Sequence, residues 1–257
     1  MVNVFLEVII FLFGLCIGSF LNVCIYRLPL SKSIAKPARS VCPGCGGIIR
    51  FYDNIPIVSY LLLKRQCRHC GFRIPFRYPL VEFLSGLCAL IICKQFGLSI
   101  EFFVYFIFIT ALIVVTFIDL DHRIIPDVIT LPGIPIFFGL SFLMPEGNWI
   151  NSISGILAGG GSLLTVAWVY ALLTGKEGMG GGDIKLLAMA GALIGWEGVL
   201  FTIFISSAAG ALVGIVLMLR TRKGMKLAVP FGPFISLGAI VYIFFGPELI
   251  NWYLNLL

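Results

Sequence analysis

Long apolar runs follow one another along almost the whole chain, and they leave few folds open to it. They cover roughly Met1–Ile25, Val81–Phe96, Phe102–Ile118, Val128–Met144, Ile150–Thr174, Ile184–Ile194, Val199–Leu219 and Phe231–Phe245. A membrane-spanning helix needs about 20 mainly apolar residues. Backbone polar groups find no partner in lipid, so helices are the natural way for such runs to cross. Only 12% of the 257 residues are charged, against about a quarter in soluble domains. The pattern predicts an all-α polytopic membrane protein of about eight transmembrane helices. Ile184–Ile194 is the short member of the set.

Basic residues fix the expected orientation. If all eight runs cross, Arg27 to Arg77, Arg123, Lys176, Lys185 and the Arg220–Lys226 cluster share one side. Glu7, Glu101, Glu146, Glu197 and Glu248 fall on the other, where Lys94 is the only nearby base. The positive-inside rule then puts the Arg27–Tyr78 loop in the cytoplasm and both termini outside. Dropping the short sixth run would move the Arg220–Lys226 cluster to the wrong side, so the run is kept as a crossing or deeply inserted helix. The net charge of +6 follows from this topology and from anionic lipid, so no nucleic-acid partner is expected. The first run has no basic n-region, carries Glu7 and lacks a small-residue cleavage site, so it reads as an uncleaved helix.

The one long polar segment lies between the first two spans. It holds Cys42-Pro43-Gly44-Cys45-Gly46 and Cys67-Arg68-His69-Cys70-Gly71. Two CxxC pairs at this spacing read as a four-thiolate site for tetrahedral Zn²⁺. Disulfides are the alternative, and a cytoplasmic location disfavours them. A segment this small builds little core, so the metal is expected to hold its fold. His69 reads as solvated, and Cys16, Cys24, Cys88 and Cys93 as small packing residues. Tyr52-Asp53-Asn54-Ile55-Pro56 and Arg77-Tyr78-Pro79-Leu80-Val81-Glu82 read as turns and interfacial anchors, with Glu82 a partner for Arg77 or another loop arginine. The expected division is 1–26 (first helix), 27–80 (zinc-binding insert) and 81–257 (membrane bundle).

Acids are rare where apolar segments meet water, and ionisable groups there are candidates for function. Asp119 ends an unbroken apolar stretch and is expected to lie deepest. Asp121 points to a different side of the helix, with Arg123 as a partner, and Asp127 after Pro126 fits a helix N-cap. Asp183 follows Gly180-Gly181-Gly182 and fits an N-cap equally well. The glycine run lacks the GK[ST] of a phosphate loop and suits close approach of an extended peptide backbone. From position alone, capping and paired catalysis both remain open for Asp119 and Asp183.

Taken together, the motifs resemble one family along nearly the whole chain. They are Gly18-Ser19-Phe20-Leu21-Asn22-Val23 with Arg27-Leu28-Pro29, both CxxC pairs, Tyr52–Pro56, Arg77–Glu82, Asp119-Leu120-Asp121 through Pro126-Asp127, Gly180–Asp183, and Pro230-Phe231-Gly232-Pro233-Phe234. The chain resembles the bacterial type IV prepilin peptidases, bifunctional leader peptidases and N-methyltransferases of pilus assembly and type II secretion. The resemblance implies an aspartic endopeptidase with Asp119 and Asp183 as its catalytic pair near the cytoplasmic face of the inner membrane. It implies prepilin or pseudopilin substrates whose short basic leader is removed after a glycine, followed by methylation of the new N-terminus. It assigns the Cys42, Cys45, Cys67 and Cys70 insert to the methyl-transfer half, with S-adenosylmethionine as donor and no cofactor ligands named by the residues. Two rivals stand beside it, a transporter or proton relay and a non-enzymatic assembly protein that docks partners through zinc. Acids at one membrane edge, away from the midplane, weigh against the first. Neither accounts for the acids and the insert together.

Overall fold

The computed structural model describes residues 4–37, 39–145, 147–175, 179–221 and 229–255. Glu146, Lys176, Arg222, Lys223 and Lys226, all part of the charge argument above, lie outside the described residues. The elements are α1 (Val4–Arg27), a 3₁₀ turn (Phe51–Asn54), α2 (Val58–Leu62), α3 (Arg77–Phe96), α4 (Ile100–His122), α5 (Asp127–Ser141), α6 (Trp149–Thr174), α7 (Gly181–Thr221) and α8 (Gly232–Leu254). Among the described residues the only extended pairing is two isolated antiparallel bridges, Val41 with Ile48 and Gln66 with Arg73. Among the described residues six helices are long and apolar enough to cross a membrane, and Asp127–Ser141 is a shorter apolar helix. The fold is that of an all-helical polytopic membrane protein.

The 41 residues of α7 would span about 60 Å if straight, roughly twice a bilayer core. They are broken at Gly195, whose φ of 70° and ψ of −177° leave the helical region. A side chain at Gly191 would meet Val199 Cγ2 at 2.9 Å, although eight residues of straight helix separate two atoms by about 12 Å. The two arms therefore fold back on each other, and each of the eight apolar runs has its own helix or helical arm. α5 covers Asp127–Ser141 and contains Pro132 and Pro135, so the fourth run is helical over less than its apolar length.

The chain divides into two compact units between Val114 and Val115. In the first unit, α1 packs on α3 through Gly14 and Gly18, where any side chain would strike Gly86 and Glu82 Cα. Glu7 pairs with Lys94 at 3.2 Å, which places both at the same end of this helix pair.

In the second unit α6 meets α7 through two GxxxG faces, Gly155/Gly159 and Gly191/Gly195. Gly155 lies against the Gly191 carbonyl and the Gly195 backbone, and Gly159 against the Leu187 carbonyl. Membrane helices gain their packing from such close backbone approach, since lipid supplies no hydrophobic drive for helix–helix contact. Gly159→Leu is expected to destabilise the protein by about 1–3 kcal/mol through overpacking. A lowered Tm of the purified protein in detergent measures it.

Candidate functional site

The second unit gathers two acids from separate helix ends. The later part of α4 is largely buried, from Phe108 to Ile118, and Asp119 follows with only 5% of its surface exposed. The helix closes at its own last turn, where Arg123 N–H donates to the Asp119 carbonyl at 2.8 Å and Arg123 takes a φ of 57°. The Asp119 side chain turns to α8, and Gly232 N–H donates to its Oδ2 at 3.0 Å. Gly232 is the first residue of that helix, so the carboxylate satisfies an N-terminal amide that has no partner within the helix.

Asp183 stands in the first turn of α7, half-buried. The helix begins at Gly181, so Asp183 lies inside the turn and not at the cap position the sequence suggested. Ile125 joins the two acids' surroundings. Its side chain would be met by a Cβ at Gly182 (2.8 Å from Ile125 Cβ) and by one at Gly232 (3.2 Å from Ile125 Cδ1). Gly232, whose amide holds Asp119, and Gly182, the neighbour of Asp183, thus both border Ile125.

The remaining acids behave differently. Asp121 is exposed. Asp127 is the first residue of α5, whose N-cap Pro126 makes no side-chain cap, so the capping role read from sequence is not found. Its Oδ1 accepts from Lys185 Nζ at 2.7 Å. This long-range ion pair ties α5 to the first turn of α7, and no local pattern announces it.

In the first unit the four cysteines of the insert come together. The Sγ atoms of Cys42, Cys45, Cys67 and Cys70 all lie within 4.8 Å of one another, and Cys42 Sγ is 3.8 Å from Cys70 Sγ. Two sulfurs each about 2.3 Å from a shared tetrahedral zinc lie about 3.8 Å apart, so the donor set fits Zn²⁺ in kind, number and spacing. All eight cysteines are free thiols.

The two halves of this site repeat at an offset of 25 residues. Cys42 N donates to Gly47 O, Gly46 N to Cys42 O and Ile49 N to Ser40 O; Cys67 N donates to Phe72 O, Gly71 N to Cys67 O and Ile74 N to Arg65 O. Gly46 and Gly71 carry the positive φ (68° and 72°) that closes each turn. Amides of Cys70 and His69 aimed at the Cys67 sulfur lower its thiol to about 7, which suits a thiolate ligand. Arg68 clamps Asp53 through both carboxylate oxygens, at 2.6 to 3.1 Å. That clamp holds Asp53 below the usual carboxylate range and fastens the second knuckle to the 3₁₀ turn.

Arg27, Asn22 and Glu82 are buried and make contacts the sequence did not foretell. The Arg27 guanidinium, 7% exposed, donates to the carbonyls of Ser33, Ile34 and Pro37, folding the start of the insert back on α1. Asn22 and Glu82 are equally buried. Glu82, expected to meet a loop arginine, accepts the Ile57 amide at 2.8 Å. A polar residue interrupting an apolar run was the available signal for Asn22.

Comparison with known proteins gives these features a setting. A model of the bacterial peptidase A24 N-terminal domain matches residues 12–96, and one of the type IV leader peptidase family matches residues 106–215. The chain is similar to a prepilin leader peptidase/N-methyltransferase of Pseudomonas putida, 36% identical over 260 residues that cover 92% of this chain and 89% of the relative. It is also similar to proteins of that name from Myxococcus xanthus, at 40% over 216 residues (84% and 64%), and from Pseudomonas aeruginosa, at 36% over 272 residues (95% and 92%). No solved structure matches the chain. With both family models matched in order and relatives of one name aligned along most of its length, this chain belongs to the type IV leader peptidase family.

Proposed function

We propose that the protein is a bifunctional enzyme of the cytoplasmic membrane, an aspartic endopeptidase that removes the short basic leader of prepilin-like substrates and an N-methyltransferase that modifies the exposed N-terminus. The observation that carries the peptidase reading is the meeting of buried Asp119 and half-buried Asp183 around Ile125 and the α8 N-terminus. The names borne by the relatives support both activities.

Two carboxyl groups that work on one water, one buried and one half-buried, are best accommodated by one shared proton. The ionised member takes a proton from water, which attacks the carbonyl at the end of the leader. The protonated member hydrogen-bonds that carbonyl and then gives its proton to the departing amine. Gly232 N–H holds Asp119 Oδ2 and so fixes one oxygen while the other faces the reaction. The glycines before Asp183 leave room for an extended substrate backbone.

Sidedness follows from charge. Lys185 and Asp127 are paired at the aspartate end of the second unit, and the insert carries most of the arginines. The positive-inside rule puts both on the cytoplasmic side, where a basic leader remains while the substrate's apolar stem enters the bilayer. In the methyl-transfer half, Cys42, Cys45, Cys67 and Cys70 would hold Zn²⁺ and fold the insert. S-adenosylmethionine, when bound, supplies an electrophilic methyl group for the new N-terminal amine.

A Cβ at position 232 would lie 2.7 Å from Asp119 Oδ2 and displace the carboxylate. Gly232→Ala is therefore expected to lower kcat for leader cleavage by about ten- to a hundredfold with little change in KM. A steady-state assay on a synthetic leader–stem peptide in detergent checks it; wild-type kcat in this variant would break the link between the α8 N-terminus and catalysis.

A further inference from the structure

The first unit contains a cavity that neither the aspartates nor the cysteine cluster accounts for. It has a volume of about 150 Å³, lies where the insert meets α1 and α3, and is lined by Asn22, Tyr26, Asn54, Tyr78 and Glu82 among others. Cys42 and Cys67 border it as well, so the cysteine site and the cavity share a wall.

Asn22 is 2% exposed, and its amide orientation is fixed. Nδ2 donates to the Gly18 carbonyl at 3.3 Å and to the Tyr78 carbonyl at 3.0 Å. Its Oδ1 is left without a partner. Buried side-chain acceptors are nearly always satisfied, and this one belongs to a cavity wall, so it is an acceptor waiting for a donor.

Glu82 adds a buried carboxylate to the same wall. One oxygen, Oε2, holds the Ile57 amide, and Ile57 is kept at a φ of 60°. A β-branched residue takes that conformation only when its surroundings impose it, and such strain gathers at ligand clamps. Tyr26 and Tyr78 add aromatic surface, which favours flat rings and cations. Arg27 and Arg68 line the same wall, so the ligand it suits carries an N–H donor, a planar ring and charges of both signs.

We propose that the cavity binds the methyl donor S-adenosylmethionine, with Asn22 Oδ1 accepting a hydrogen bond from it and Glu82 facing its cationic end. The assignment rests on the methyltransferase reading above and supplies the cofactor residues that reading lacks. Pockets that enclose a whole drug-sized molecule run from about 300 to 1,000 Å³, so one end of the donor enters and the rest lies along the outer flank. It also explains why a metal-folded insert serves methyl transfer, since the cysteine site positions one wall of the cavity.

The test uses the full-length, zinc-loaded protein in lipid nanodiscs. Radiolabelled S-adenosylmethionine is bound at equilibrium, then cross-linked by ultraviolet light and mapped by mass spectrometry. The label is expected on peptides carrying Tyr26 or Tyr78. Glu82→Gln, which keeps an acceptor for Ile57 N–H, and Asn22→Leu are each expected to weaken donor binding at least tenfold with zinc content unchanged. Should Asn22→Leu lose zinc through misfolding, the wild-type label and Glu82→Gln decide. Donor binding and methylation by the wild type, with the label elsewhere and Glu82→Gln binding normally, would overturn the site alone. A wild type that neither binds the donor nor methylates a cleaved substrate would overturn the methyltransferase reading, and the site with it.

Discussion

Asparagine in place of either Asp119 or Asp183 is expected to reduce leader cleavage by at least about a thousandfold, and the double variant to be no worse than either single one. Residues that act as one unit lose most of their catalysis with the first removal. Asparagine keeps the size of each side chain and can still accept the Gly232 N–H now received by Asp119, so the fold should persist. It cannot supply the ionised form that takes a proton from water or the acid form that protonates the amine. Single-turnover cleavage of a prepilin peptide measures the loss, with Tm and zinc content as controls for folding. Losses that add independently, or either single variant cutting within tenfold of wild type, would argue against a shared site. Asp127 gives a contrast: it is exposed and paired with Lys185, and Asp127→Asn should change stability by less than about 1 kcal/mol.

The second large effect concerns the insert. Wild-type protein is expected to carry one zinc per chain, and Cys67→Ser to carry none. Structural zinc in small modules supplies about 10–16 kcal/mol of folding free energy at neutral pH, so the insert should unfold when a ligand is removed. Methyl transfer should then be lost. Leader cleavage should survive, because both aspartates belong to the compact unit that begins at Val115.

Acid should have the effect of the substitution. Cys67 is pulled down to about 7 by backbone amides while burial and the neighbouring thiols push Cys70 up to about 12, so the cluster takes up protons as pH falls. A ligand must be deprotonated to hold the metal, so zinc affinity falls as pH is lowered. Elemental analysis after dialysis against a chelator at several pH values follows this loss. Zinc retained by Cys67→Ser would show that the four sulfurs do not act together.

Much of the fold could be read from the sequence because membrane helices are written in one-dimensional apolar runs. All eight runs became helices or helical arms, including the short Ile184–Ile194. Its partner arm was separated from it by Gly195, a position only the chain reversal explains. The cysteine site was equally legible, since its ligand spacing is local and its two knuckles repeat. Asp119 was readable from the unbroken apolar stretch before it, which does bury it.

What the sequence could not deliver were contacts between distant segments. Asp127 looked like a cap because Pro126 precedes it, and Lys185, its actual partner, lies 58 residues away. Glu82 sits among arginines in the sequence and takes a backbone amide 25 residues earlier. Asn22 looked like one polar letter in an apolar helix. Its fixed amide and open oxygen emerge only when Tyr78 is folded beside it. A buried polar group is defined by what surrounds it, and those surroundings are non-local.

The most direct measurement is the intact mass of a full-length prepilin-like substrate incubated with the purified protein and S-adenosylmethionine, run beside the Asp119→Asn/Asp183→Asn double variant. The wild type is predicted to yield a product shorter by its leader and heavier by one methyl group, and the double variant to leave the substrate whole. Complete leader removal by the double variant would place the hydrolytic chemistry elsewhere in the chain.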